Sequence, residues 1–429
     1  MTLIIILAII LAIAIGYITK INIGLFAIVF AYLIGCYGLD LTASQVVSFW
    51  PIKIFFIIFA VTLFYNVAMV NGTLEKLANH LLYACRNFPL LLPLAIFASA
   101  TIIAALGAGF YTVLAFMAPM TLLLCQKTGM SKIIGGMAVN YGALAGANFM
   151  TSQSGVIFRG IMEGVGISPA QAFSNSTAIF IATLIIPIVV ITSYLIFNHK
   201  KLSINIAVER SAPFETKQKQ SLMLVITLMA LVLVIPILNL IFPQNHSISF
   251  LNSKVDIGFM AIIFAVISLL MKLADEKKVI AMVPWGTLIM ICGVGMLIEV
   301  AIKAGVINIL SDWVSTTIPY WIIPLTMCLI GAVMSLFAST LGVVTPALFP
   351  IVPAIAAATG HNPIVLFVCI VVGAQASAIS PFSSGGSLIL GSTPQGVNQS
   401  ELFNDLLFRA VPIGLIAALM AALIAQGVL

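Results

Sequence analysis

Apolar runs long enough to cross a membrane recur along almost the whole chain, at 2–19, 22–40, 52–70, 171–198, 221–243, 255–272, 283–301 and 408–429. A helix rising about 1.5 Å per residue needs roughly 20 such residues to span a bilayer core. The rest of the sequence cannot hide that much apolar surface from water. Residues are 62% hydrophobic and 7% charged, where soluble domains carry about a quarter charged. The chain therefore reads as an all-α polytopic membrane protein. Intrinsic disorder, nucleic-acid binding and a secreted disulfide scaffold are excluded. The net charge of +6 sits in short loops rather than on one face. Cys36, Cys85, Cys125, Cys292, Cys328 and Cys369 lie in or beside apolar runs with no CxxC pair, which suits packing rather than redox or metal work. The first run has no basic segment before it and no small-residue cleavage site after it, so it is expected to be a retained helix.

Other apolar stretches are interrupted. Segments 129–165 and 360–392 are broken midway by Gly, Ser and small polar residues, and 89–126 and 319–358 are dense in Pro and Gly. The first two read as broken spans. The second two are too long for one span and too broken for two, so re-entrant hairpins are expected. Amphipathic segments at 71–87, 306–317 and 395–406 are expected to lie along the interface. The polar segment 199–220, with Lys200, Lys201, Arg210, Lys217 and Lys219, reads as a cytoplasmic linker.

The segments on either side of that linker resemble each other at an offset of 231 residues. Pro93 falls on Pro324, Pro119 on Pro350, Thr128-Gly129 on Thr359-Gly360, and Gly142-Ala143 on Gly373-Ala374. Ser152 falls on Ser383, Gly155 on Gly386 and Gly160 on Gly391. Repeats over 1–198 and 221–429 are expected, giving about ten transmembrane helices and two hairpins. An odd number of spans per repeat inverts the second copy, and inverted repeats with broken helices are the architecture of secondary transporters. With the N-terminus outside, basic residues divide 14 inside to 4 outside or within the membrane. The positive-inside rule then places both termini on the outer side.

Polar residues in the interrupted segments are the candidates for chemistry. The first broken span runs from Asn140 through Asn148, Thr151, Ser152 and Ser154 to Gly155; the second runs from Gly373 through Gln375, Ser377, Ser380, Pro381, Ser383, Ser384 and Gly386 to Ser387. Gly and Pro free backbone carbonyls, which suit cations, and N–H groups, which suit anions at the start of a resumed half-helix. Candidate cation ligands are Asn140, Asn148, Gln375 and Ser377. Candidate substrate contacts are Asn148, Thr151, Ser152, Ser380, Ser383 and Ser384, with the hairpin tips Gly107, Ala108, Gly109, Thr112, Ser339 and Thr340. The competing reading of these small residues is helix–helix contact.

Ala145-Gly146-Ala147-Asn148 through Ile157, Ser339-Thr340-Leu341-Gly342 through Pro350, and Ile379-Ser380-Pro381 resemble the ion transporter superfamily of divalent-anion carriers, and most of all its bacterial malonate/dicarboxylate carrier branch. The resemblance implies a multi-pass carrier of a di- or monocarboxylate in the inner (plasma) membrane. It also implies a homodimer with a rigid scaffold and a transport domain that moves as an elevator. Sodium-coupled members carry Ser-Asn-Thr at both hairpin tips. This chain has Ser339-Thr340 without the Asn at the second tip and Gly107-Ala108-Gly109 at the first.

No Asp, Glu or His falls mid-span. Glu163, Asp256, Glu299, Asp312 and Asp40 lie near span ends or in interfacial segments. Coupling to Na+, to exchange or to a proton carried on the substrate itself is therefore expected over protonation of a buried carboxylate. Arg159, seven residues past Ser152, either snorkels to the outer interface or meets an anionic substrate. An inorganic oxyanion or neutral solute remains the alternative cargo. A channel would need a continuous polar pore and an enzyme a catalytic constellation, and neither is evident. No cofactor or structural metal is expected.

Overall fold

A computed structural model describes residues 2–84, 91–198, 212–242, 244–337, 339–393 and 398–428. Most of the expected linker, including Lys200, Lys201 and Arg210, lies outside the described residues, as do Cys85, Arg86 and Ala338.

The described residues form helices and no strands. Many of these helices turn apolar side chains outward: on helix Pro169–Asn198, Ile185, Val189 and Ile196 are all exposed. Asn140, Asn148, Ser152 and Ser380, by contrast, are fully buried. Polar-inside, apolar-outside is the arrangement hydrocarbon selects, since buried backbone and amide groups must find partners within the protein. Six helices among the described residues are long and apolar enough to cross a membrane, or seven if the pair His246–Asn252 and Ile257–Leu270, bent by 73°, counts as one span. One of the six, Thr340–Thr359, falls on the second half of the segment 319–358 expected to be a re-entrant hairpin, because the chain stays helical through Pro346 and Pro350; the remaining expected spans are shorter apolar helices or are split by breaks.

Both interrupted segments are indeed two helices. Lys132–Ala147 stops and Gln153–Gly164 resumes; Pro363–Ser377 stops and Ser384–Gly391 resumes. The Pro/Gly-rich segments are also paired helices meeting at a break. Leu92–Ile103 meets Phe110–Thr128 at a π-turn with Gly107 at φ 99° and Gly109 at φ 72°. Ile323–Phe337 meets the π-turn Thr340–Val344, which continues through Pro346 and Pro350 to Thr359.

Several contacts recur at the 231-residue offset. The Cβ that Gly142 lacks would strike the Phe97 carbonyl, and that of Gly373 the Cys328 carbonyl. Gly155 is crowded by the carbonyls of Asn148 and Phe149, and Gly386 by those of Ile379 and Ser380. Thr128 Oγ1 donates to the Leu124 carbonyl and Thr359 Oγ1 to that of Ile355, both at 2.6 Å. Each of these threonines is followed by a left-handed glycine that ends the helix.

Helix Thr216–Ile241 begins five residues before the expected boundary, because Glu215 and Gln218 form a reciprocal cap. Gln218 also donates to the Asn71 carbonyl and accepts from Lys76, while Asn71 donates to Ser221. The end of the linker is thus docked on the first half. A second junction is tight: Gly24 and Gly293 let helices Ile23–Leu33 and Trp285–Lys303 touch backbone to backbone.

Candidate functional site

Where the two broken helices approach the hairpin breaks, a small cavity is lined by Tyr111, Ser154, Ser335, Ser339, Thr340, Gln375, Ser383, Ser384 and Gly385, with Phe110, Leu144, Leu341 and Ala378 as apolar walls. Its volume is about 20 Å³, room for about one water. No acid or base lines it. Its polar atoms are hydroxyls, one amide and the start of helix Ser384–Gly391.

The second tip builds most of this wall. Ser339 caps the π-turn by accepting from Gly342 N at 3.2 Å, and Thr340 Oγ1 lies 3.0 Å from Ser335 Oγ. Ser339 Oγ is 3.3 Å from Tyr111 Oη, a hydroxyl pair that joins the two hairpins. On the opposite side Ser383 donates to the carbonyls of Ala378 and Ser380 at 2.6 and 2.8 Å and accepts from Gly386 N at 3.4 Å. Those bonds hold the break open and start the resumed helix. Its first N–H groups, on Ser384 and Gly385, have no intrahelical acceptor, which leaves positive character facing the cavity.

Asn140 adds a further polar group behind this wall. It is fully buried, and neither Oδ1 nor Nδ2 has a hydrogen-bond partner. A Cβ on Gly385 would come within 2.7 Å of its Oδ1. Gly385 therefore lets the amide lie against the helix start.

The first tip is placed differently. Gly107 is covered by the Tyr65 ring, and Gly109 by the Gln153 side chain. Tyr65, itself buried, donates to the Thr151 carbonyl at 3.3 Å. Ser152 donates to the Ala104 carbonyl at 2.6 Å, which ties the first broken helix to its own hairpin. Gly107, Ala108, Gly109, Thr112, Thr151 and Ser152 do not line the cavity, nor do Asn140, Asn148, Ser377 and Ser380.

Asn148 and Gln375 face each other across the two broken helices. Their amides are reciprocally bonded, Asn148 Nδ2 to Gln375 Oε1 at 3.1 Å and Gln375 Nε2 to Asn148 Oδ1 at 3.0 Å, with a further bond from Asn148 to Thr183 at 3.0 Å. Of the candidate residues, Ser339, Thr340, Gln375, Ser383 and Ser384 thus share one cavity. Tyr111, Ser154, Ser335 and Gly385 were not among them. Tyr111 and Ser154 sit inside the polar clusters, so the signal for them was present; Ser335 lies within an apolar helix and gave none.

Solved structures with this fold include the YdaH transporter of Alcanivorax borkumensis, with a TM-score of 0.59 and 14% identity, covering 92% of this chain and 90% of that one. MtrF of Neisseria gonorrhoeae, described within a class of antimetabolite efflux pumps, matches with a TM-score of 0.55 and 14% identity, covering 92% and 85%. At that identity the likeness is one of fold. The chain is a multi-pass, all-helical membrane protein with a transporter fold. No curated protein matches it in sequence. Residues 1–147, up to the end of helix Lys132–Ala147, match the family described as dicarboxylate carrier protein MatC N-terminus, so the likeness to dicarboxylate carriers holds over that third of the chain.

Proposed function

We propose that this protein is a secondary carrier, not an enzyme, and that it moves a small dicarboxylate anion. The observation that carries this reading is the cavity between the tips. Ser339, Thr340 and Ser384 bring hydroxyls to the start of a helix whose first N–H groups are free, with Ser383 holding the break open and no carboxylate in the lining. Such a donor set favours negative charge. The match of residues 1–147 to a dicarboxylate carrier family supports the same substrate class.

A cavity of about 20 Å³ is smaller than any dicarboxylate. Loading therefore requires the second tip and the start of helix Ser384–Gly391 to part. In an elevator cycle the hairpins and broken helices would move together against a scaffold built on the Gly24–Gly293 crossing. The recurring contacts at Gly142/Gly373 and Gly155/Gly386 support inverted repeats in which each moving half has the same build. Homodimerisation through the scaffold is part of the proposal.

Coupling is assigned to Na+ or to exchange, because no cavity residue carries a titrating acid or histidine. The test is counterflow in proteoliposomes loaded with malonate or succinate, with sodium gradient, proton gradient and internal substrate imposed separately. Saturable uptake that needs internal substrate or sodium supports the proposal. Uptake of sulfate with none of either dicarboxylate would replace it with an oxyanion carrier. Uptake of a fully ionised anion driven by a proton gradient alone would overturn the coupling assignment.

A further inference from the structure

Two larger cavities lie away from the central one, on the side that the basic-residue count assigns to the outside. One, of about 760 Å³, reaches Lys53, Glu163, Asp256 and Glu299 between the ends of helices Ile52–Val70, Gln153–Gly164 and Trp285–Lys303. The other, of about 330 Å³, is lined by Arg159, Glu163, Asn252 and Asp256. They share Ile57, Gly160, Glu163 and Asp256, so they adjoin. Neither shares a residue with the central cavity.

Arg159 does not simply reach out to water. Its Nε is buried with no hydrogen-bond partner, and its guanidinium carbon lies 5.4 Å from the Phe173 ring centroid. Among the described residues it makes no ion pair within 4.0 Å. A guanidinium over an aromatic ring can still offer N–H groups to an acceptor, and a carboxylate matches its fork. A buried N–H without an acceptor is costly, so the site favours a partner.

Two carboxylates border the same cavity. Asp256 is held in place, since its Oδ1 caps the following helix by accepting from Phe259 N at 2.9 Å, so it contributes fixed negative charge rather than a side chain that swings. Glu163 is one turn beyond Arg159 on the same helix face and has the 760 Å³ cavity to turn into. Lys53 and Glu299 face that larger space rather than the guanidinium's own cavity.

We propose that Arg159 is an outer transfer subsite for one carboxylate group of the substrate, with Glu163 as its intramolecular competitor. This rests on the carrier reading given above. An arriving carboxylate takes the guanidinium fork while Glu163 turns away. Glu163 then returns as the substrate moves on toward the cavity beneath Ser154. The competitor keeps the subsite weak enough to release its ligand, as a site along a transport path must be.

The experiment measures initial malonate counterflow against external concentration in wild type, Arg159→Gln, Arg159→Lys and Glu163→Gln. Arg159→Gln should raise the half-saturation concentration about tenfold, with a smaller effect on the saturated rate. Arg159→Lys should fall between, having charge without the fork. Glu163→Gln should shift half-saturation the other way, to about a third of wild type. Opposite shifts are not what a purely structural pair would produce. Should Arg159→Gln fail to fold, Arg159→Lys and Glu163→Gln still decide the matter. Unchanged half-saturation in all variants that fold overturns this inference and leaves the carrier reading intact. Absence of malonate and succinate counterflow in wild type overturns both.

Discussion

The two hairpin tips occupy corresponding places in the chain and do different work. The first is sealed: Tyr65 covers Gly107, Gln153 covers Gly109, and Ser152 is tied back to Ala104. The second is open to the central cavity, with Ser339 and Thr340 in its wall and Ser383 capping the helix opposite. Similar backbone breaks have thus received different surroundings. The lesson is that similar breaks in the chain do not imply similar sites. In the first tip the chain's own side chains fill the space that a ligand would need.

Breaking the seal should have the largest effect. Gly107→Ala places a methyl group in the Tyr65 ring at φ 99°, where an L side chain is strained. We expect a loss of about 3 kcal/mol or more, read as a sharp drop in thermal unfolding temperature and in monodisperse yield. Gly342→Ala in the second tip meets the flexible Met290 side chain from Cγ to Cε, without positive φ, and should cost less, about 1–2 kcal/mol. Equal tolerance at both glycines would remove the contrast.

The open tip should carry the substrate. Ser339→Ala combined with Thr340→Val is expected to lower malonate affinity roughly ten- to a hundredfold, since hydrogen bonds to a charged ligand are worth about 1.5–3 kcal/mol. Thr112→Val, beside the sealed tip and off the cavity, should stay within about twofold. Counterflow half-saturation in proteoliposomes measures both. A larger loss at Thr112 would move the site to the first tip.

A smaller effect belongs to the contact between the tips. Tyr111→Phe deletes the 3.3 Å hydroxyl pair with Ser339. A neutral hydrogen bond contributes about 0.5–1.5 kcal/mol, so uptake should change by less than about tenfold. Loss as complete as that of the double variant would make Tyr111 a substrate ligand rather than a link between hairpins.

The least effect is expected at the bases of the hairpins. After the paired Thr-Gly steps, the first half has Met130 and the second His361. His361 is buried, stacks on Tyr320 at 3.9 Å, and has Nδ1 3.0 Å from Thr359 Oγ1. Burial holds its imidazole below the usual 6.5. The unfolded chain therefore binds the proton more readily. The contribution to stability is complete above pH 6.5 and is lost as pH falls from there through the lower folded value. Thermal unfolding at pH 7.5 and pH 5.5 should show this drop in wild type and a shallower one in His361→Gln; identical slopes would refute it.

Much of this protein was written in one dimension. Apolar run length, Gly and Pro at the breaks, and the 231-residue offset are local or periodic properties. Hydrocarbon leaves few folds that satisfy them. Hence the all-helical class, the split helices on either side of Ser152 and Ser383, and the helix breaks at Gly107 and Ser339 were legible directly. The number of full-length spans was less so, because a helix shortened by a break keeps its apolar composition. The distribution of partners was decided only in three dimensions. Asn148 and Gln375 are 227 residues apart, and each is bonded to the other's amide. Tyr65 reaches Thr151 across 86 residues, and Tyr111 reaches Ser339 across 228. A polar residue type states what a side chain can bond, but a buried amide or hydroxyl takes the acceptor that packing brings to it. Which polar residues close on each other, and which remain turned toward a cavity, is therefore settled by the tertiary structure.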